Sequence, residues 1–277
     1  MSAYHTDRAN SGEAEGPPPT SIGPIPSASP SFGDIGTAFQ PIIDLERSFG
    51  VFAHEALVRG ADGEGAADVF ARVARYDRHT FEHVCRVRAL EWAARLDLPG
   101  RLSLNISPSC MAGPRHGVRA TLAAAAAIGI PPDRLIFELT EQEPVQDYRA
   151  LRSLTASCRD AGALIALDDF GAGYAALTPL VEIRPDILKL DMGLVRSIDT
   201  DPVRGAVVGA VSQACRTLGI TLVAEGVETS GETRALRAVG ISLMQGYLFA
   251  RPGFECLPVI QPVVEETSCA SAEIETG

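Results

Sequence analysis

From Thr37 onward, short apolar runs alternate with stretches whose apolar residues recur every three or four positions. TAFQPIIDL (37–45) and VFAHEALVRG (51–60) read as two strands joined by a turn at 46–48. They lie close enough in sequence to form an antiparallel hairpin. Helical text follows in AADVFARVARY and HTFEHVCRVRALEWAARL, leading to the strand RLSLNIS. Thereafter a helix over 118–127 leads to RLIFELTE, and one over 145–158 leads to ALIALDDFG. A short segment precedes DILKLDMGLV, a helix over 206–218 precedes ITLVAEGVE, and one over 230–238 precedes SLMQGYLFA. Runs such as LIFEL and ALIAL suit strands buried on both faces, as a parallel sheet requires. Eight strand candidates alternating with helices predict a TIM-like (β/α)8 barrel whose opening antiparallel strand is its irregular part. An open doubly wound sheet is the alternative, but no G-x-G-x-x-G or Walker loop supports a nucleotide-binding version of it.

Composition sharpens the boundaries. The chain has 277 residues, 46% hydrophobic and 21% charged, enough for one barrel of roughly 250 residues. Residues 1–36 include GEAEGPPPTSIGPIPSASPS, with three successive prolines and few large apolar groups. Such text reads as a disordered tail. Residues 263–277 read the same way, which leaves 37–262 as the folded domain. A net charge of -11 repels DNA, RNA and anionic lipid at long range. It does not exclude a small phosphorylated ligand, because bound divalent cations reverse the local sign of a pocket. The six cysteines are scattered without a C-x-x-C pair, the pattern of free thiols in a reducing cytoplasm. MSAYHTDRAN carries no apolar core of a signal peptide, and the blandest stretch, 122–130, is too short to span a bilayer. A cytoplasmic location is expected.

The placing of acids and amides changes the picture most. Glu55 lies in AHEALVRG, Asn105 in LSLNIS, Glu138 and Glu141 in IFELTE, and Asp168 and Asp169 close ALIALDD. Lys189 lies in ILKLD, Glu225 and Glu228 in VAEGVE, and Gln245 in LMQGY. Any one of these is ordinary in isolation. Together they put polar groups within or near the C-terminal ends of nearly all the strands, where barrel active sites are built. Several unpaired carboxylates at one mouth would cost several kcal/mol each and repel one another, so a divalent metal is the simplest compensation. The donor set is oxygen-only, which suits Mg2+ or Mn2+ better than zinc. His54 adjoins Glu55 and should point the other way along the strand. Asp168 and Asp169 would also diverge in a regular strand, unless the chain turns there into the glycine-rich FGAGY loop.

In order along the chain, HEALVR, LNIS, FELTE, DDFGAGY, LKLD, AEGVET and QGYLFARP resemble the motifs of the EAL-domain phosphodiesterases. Those enzymes hydrolyse cyclic di-GMP, and the resemblance runs from about residue 37 to about 258. It implies a metal shell of Glu55, Asn105, Glu138, Asp168, Asp169 and Glu225, holding two Mg2+ or Mn2+ ions. It implies that Lys189 is the catalytic lysine near the attacking water, and that Gln245 positions that water or the shell. Glu141 would hold the loop after Asp169, and Glu228 would be a further supporting acid. Arg59 would bind a substrate phosphate, while Gln40 and Leu57 would line the guanosine side. The implied reaction opens cyclic di-GMP to linear pGpG; the alternative is a module that binds the dinucleotide without cutting it and signals through a partner. A homodimer formed near the DDFG segment and an unidentified regulatory partner are further expectations of the resemblance. The chain departs from the pattern at Ser242, where an acid is usual, at Gly60, where a bulky aromatic is common, and in the alanines of DDFGAGYAAL. RGADGEGA and CRVRALEWAARL resemble a subgroup often joined to sensor domains, light sensors among them; the stretch before Thr37 is too short for one.

Overall fold

The computed structural model describes residues 34–47, 50–74, 77–113, 115–140, 145, 147–172 and 177–262. Residues 1–33 and 263–277 of the two predicted tails, with Cys269, and Glu141 lie outside these residues; the folded chain begins slightly before the predicted 37, because Ile35 is buried and already pairs in the first strand. Strands β1 (Ile35–Asp44) and β2 (Gly50–Gly60) form the predicted antiparallel hairpin. The parallel strands follow: β3 (Arg101–Ile106), β4 (Leu135–Thr140), β5 (Leu164–Phe170), β6 (Ile187–Leu190), β7 (Thr221–Ala224) and β8 (Leu243–Met244). Neighbours pair in sequence order from β2 to β8, and β1 pairs with both β8 and β2, so eight strands close into a barrel. A short strand, β9 (Gly253–Phe254), pairs with Ala38–Phe39 of β1 along the edge that β8 occupies further on.

Helices α1 (Ala66–Ala71), α2 (Arg78–Arg95), α3 (Pro108–Met111), α4 (Val118–Ile128), α5 (Tyr148–Asp160), α6 (Leu177–Ile183), α7 (Met192–Val195), α8 (Pro202–Leu218) and α9 (Ser230–Ala238) fill the connections. Their starts follow local chemistry. Asp147 caps α5 through the amides of Arg149 and Ala150, so this helix begins after the predicted 145. Asp201 caps α8 with Pro202 in its first turn, four residues earlier than the predicted 206, because proline suits a helix start. Thr229 and Glu232 form a reciprocal capping box on α9. DMGLV, predicted as the tail of a strand, leaves β6 at Asp191, whose carboxylate caps α7 instead.

The strand faces separate two cores. The outward faces pack against the helices in one large apolar cluster that includes Phe39, Leu90, Leu104, Phe137, Leu167 and Leu188. Inside the barrel, Ile42, Ala53, Ile136, Ala166, Ile187, Val223 and Leu243 form a second cluster, one apolar layer across the bore. Two residues further on, each strand with such a residue turns polar: Glu55, Glu138, Asp168, Lys189, Glu225 and Gln245, with Gln40 on the reversed β1. Alternation with period two thus stacks a polar layer directly above an apolar floor.

Candidate active site

Lys189 is the centre of the polar layer and is 1% exposed. Its Nζ lies 3.3 Å from Glu55 Oε2, 3.0 Å from Glu138 Oε2, 3.1 Å from Asp168 Oδ1 and 2.6 Å from Glu225 Oε1. Four strands therefore deliver one carboxylate each to one ammonium. Amides and hydroxyls complete the ring. Gln245 Nε2 donates to Glu55 Oε2 at 2.8 Å and to Gln40 Oε1 at 3.1 Å, and Gln40 Nε2 donates to Ala250 O. Asn105 Nδ2 donates to the other oxygen of Glu55 at 3.3 Å, and Ser103 Oγ to Glu138 Oε1 at 2.5 Å.

Asp168 and Asp169 both reach the mouth through a bulge. Leu167 pairs with Leu188 and Phe170 with Leu190, so β5 carries one residue more than β6 between these pairs. Asp169 takes up the excess in a left-handed conformation, φ 57°. That conformation is uncommon for a residue with a side chain and clusters at functional sites.

Burial and charge pull the titrations in opposite directions. Desolvation alone would lower Lys189, but Asp168, Glu138, Glu225 and Glu55 hold it well above the ordinary lysine value. Burial pushes Glu138 up to about 8, against the pull of Lys189. Asp168 and Glu225 are raised for the same reason. Glu55 moves down despite its burial, because Lys189, Gln245 and Asn105 favour its charged form. Four carboxylates thus share one ammonium, with Asp169 beside Asp168 at the same mouth.

Glu55, Glu138 and Asp168 form one group whose oxygens lie within 4.8 Å of one another, and Asp168, Asp169 and Glu225 form a second. These are the groupings of three or more potential metal ligands among the described residues, and Asp168 belongs to both. Asp168 Oδ1 is buried without an aligned donor although Lys189 stands 3.1 Å away, and Gln245 Oε1 is a buried acceptor without a partner. An oxygen-only donor set with excess negative charge and orphaned acceptors fits hard divalent cations.

Two cavities flank the cluster and share Glu55, Asp168 and Asp169 in their walls. The first, about 480 Å³, is lined by Leu57, Phe70, Arg78, Glu82, Arg86 and Asn105 among others. The second, about 300 Å³, is lined by Gln40, Glu225, Glu228, Gln245 and Tyr247 among others.

The structure thus brings together Glu55, Asn105, Glu138, Asp168, Asp169, Lys189, Glu225, Gln245 and Gln40, with Leu57 on a cavity wall. Glu228 lines the second cavity, where it is exposed and paired with Arg196 at 2.5 Å. Arg59 is not among the lining residues of either cavity; its Nη1 donates to Val58 O in its own strand. His54 points away from Glu55, bonds Pro99 O through Nδ1, and is lowered to about 4 by burial. Ser242 lies at the far end of the barrel, lining a separate cavity with Asp44 and Arg216. Gly60 sits where an added Cβ would come within 2.0 Å of Glu64 Oε2, so a larger residue there requires Glu64 to move. Ser103, Glu82 and Arg86 were missed from sequence. Alternation in RLSLNIS places Ser103 beside Asn105 and could have found the first; the other two look like ordinary helix charges. Cys85, Cys110, Cys158, Cys215 and Cys256 are free thiols, as expected.

The sequence matches the EAL domain over residues 28–252. It is 30% identical over 234 residues to the blue light- and temperature-regulated antirepressor BluF of Escherichia coli, covering 84% of this chain and 57% of that protein. It is 36% identical over 159 residues to the cyclic di-GMP phosphodiesterase RocR of Pseudomonas aeruginosa, covering 57% of this chain and 40% of RocR. The chain therefore spans about half the length of the curated relatives it matches. Among solved structures, a standalone versatile EAL protein from Vibrio cholerae O395 in its c-di-GMP-bound form superposes with a TM-score of 0.79 at 40% identity, over 83% of this chain and 97% of that one.

Proposed function

The chain belongs to the EAL-domain family, and from that premise we propose that it is a metal-dependent phosphodiesterase hydrolysing cyclic di-GMP to linear 5'-pGpG. The observation that carries this reading is the buried Lys189 among four strand-end carboxylates, set between two cavities that share Glu55, Asp168 and Asp169. Glu55, Asn105, Glu138, Asp168, Asp169 and Glu225 would hold two Mg2+ or Mn2+ ions. When bound, such ions supply charge that attracts the anionic phosphodiester and lower the pKa of water.

The residues of this chain do the remaining work. Lys189, held charged, presents N–H donors that orient the attacking water or a phosphate oxygen. Gln245 and Asn105 bond the two oxygens of Glu55, so its carboxylate plane is fixed before any ligand arrives. The two cavities fit the two halves of a dinucleotide, with Leu57 on one side and Gln40 on the other. Arg59 takes a phosphate oxygen by exchanging its bond to Val58 O, its planar fork suiting that partner. Glu141 holds the loop after Asp169, and Glu228 supports the rim of the second cavity.

Residues 37–262 form the phosphodiesterase domain in this reading, and the protein works in the cytoplasm; among the described residues no helix is long and apolar enough to cross a membrane. A homodimer built on the segment after the DDFG loop is supported by Leu177 and Val181, one helical turn apart on α6 and 68% and 66% exposed. A regulatory partner fits the greater length of the relatives.

The test is to incubate the protein with cyclic di-GMP and Mg2+ or Mn2+ and separate the products by chromatography. Linear pGpG is expected, and Glu55→Ala should lose at least ~100-fold in kcat/KM, since even outer-shell changes around metals cost 10–100-fold. The similarity to an antirepressor favours a second reading, a cyclic di-GMP-binding module that signals without cutting. Retained binding with no product under either metal would establish that reading and overturn the first.

A further inference from the structure

The strand end that carries Asn105 is held by a buried ion pair on α2, Arg86 bonding Asn105 and Glu82 bonding Ser107. Arg86 is 2% exposed, and its Nη1 donates to Asn105 O at 3.2 Å. Its other nitrogens donate to Thr121 Oγ1 at 3.1 Å and to His116 O at 2.5 Å. Glu82, one turn earlier and 8% exposed, lies 3.7 Å from Arg86 Nη1. Its Oε2 accepts from Ser107 N at 3.2 Å and Ser107 Oγ at 3.0 Å. The pair thus grips the peptide groups on either side of Ile106, where β3 ends and α3 begins. Asn105 in turn donates its side-chain amide to Glu55.

A guanidinium and a carboxylate at i and i+4 need no burial to stabilise a helix. Burying both is costly unless their remaining donors and acceptors are satisfied, and here the satisfying partners are the backbone of a strand end and its flanking loops. Strand ends fray by default, and a ligand-bearing strand end needs support to keep its geometry. We propose that Glu82 and Arg86 are positioning residues that act through Asn105, fixing its side chain against Glu55 for the divalent-cation site. The role rests on the metal-site reading above.

The chain contains two asparagines, Asn10 and Asn105. Selective 15N-asparagine labelling therefore reports Asn105 with a single other residue in the spectrum. Arg86→Lys keeps the charge but loses the fork, and Ser107→Ala removes one hydrogen bond to Glu82 and disturbs the fold least. Without metal, both should shift or broaden the Asn105 side-chain amide pair, with thermal melting confirming the fold. By calorimetry, Arg86→Lys should weaken Mn2+ binding about tenfold and Ser107→Ala about threefold. In an Asn105→Ser background each loss should shrink to less than twofold. Unshifted Asn105 signals in folded variants, or equal losses in both backgrounds, would overturn the proposal. A parent protein that binds no Mn2+ would refute the metal-site reading, while the Asn105 signal would still decide the positioning role. Should Arg86→Lys fail to fold, Ser107→Ala decides alone.

Discussion

Replacing Lys189 by methionine keeps most of the side-chain volume and removes the ammonium that four acids share. The loss can be bounded from the geometry. Each of the four carboxylate oxygens lies 2.6–3.3 Å from Nζ. One such pair at an effective dielectric of about 20 is worth about 5 kcal/mol before desolvation. Desolvation of the ammonium works against this, and the raised titration of Lys189 shows that attraction wins. Breaking a buried pair typically costs ~3–5 kcal/mol, because the partner charge is left behind. For a chain of this size that corresponds to a melting point lower by about 6–20 °C. The measurement is thermal unfolding of parent and Lys189→Met in chelator at pH 8, repeated with saturating Mn2+. The deficit should be largest in chelator and shrink with Mn2+, which binds the native acids and stabilises by mass action. It should also shrink as pH falls, since carboxylates already raised in the fold, such as Glu138 at about 8, take up protons more readily still without the lysine. Equal melting of the two proteins in chelator at pH 8 would refute the view that Lys189 is the counter-charge of the cluster.

Other outcomes follow from single positions. Gly226 has φ 66°, and a Cβ there would come within 2.4 Å of Met192 Cβ, so Gly226→Ala should cost ~1–3 kcal/mol in urea unfolding and weaken Mn2+ binding through the adjacent Glu225; an unchanged urea midpoint would count against it. His83 is lowered to about 4 by burial, with Arg86 and His116 adding to the effect. Its unfolded form gains a proton as pH falls past about 6.5 and its folded form only near 4, so the stability it contributes is complete above 6.5 and lost between those values. His83→Gln should flatten that limb of a stability–pH profile, though His54, lowered likewise, keeps part of it; an unaltered limb would show that His83 does not titrate as stated.

Strand order was legible in the alternation of apolar runs with helical text and the hairpin in its short turn, while the ring of polar strand ends is written in period-two alternation. Ile136 to Glu138, Ala166 to Asp168, Ile187 to Lys189 and Val223 to Glu225 are the same step on four strands. Lys189 was legible as a site residue, yet its place at the centre was not, since sequence shows which face a residue shares but not how far its side chain reaches. Asp169 was a matter of register: two adjacent acids fit one mouth only because β5 holds an extra residue, and pairing offsets leave no compositional trace. Arg59 shares a strand face with Glu55 and Leu57, and period two alone would send it to the same ligand; near the end of the strand its guanidinium finds a backbone carbonyl first. Glu82 and Arg86 stayed hidden because their partners, Asn105 and Ser107, are distant in sequence and mostly backbone atoms.

The apolar layer beneath the acids has a consequence for traffic. Ile42, Ala53, Ile136, Ala166, Ile187, Val223 and Leu243 form an apolar floor across the bore, so the acid cluster is reached from the side of the two cavities above it. In the proposed reaction, an ion seated there and a ligand arriving over it would come from the same end of the barrel. Loading would then have an order, small cation first and bulky anion second, and a ligand in place would act as the stopper. Release of the products of the proposed hydrolysis would run in reverse.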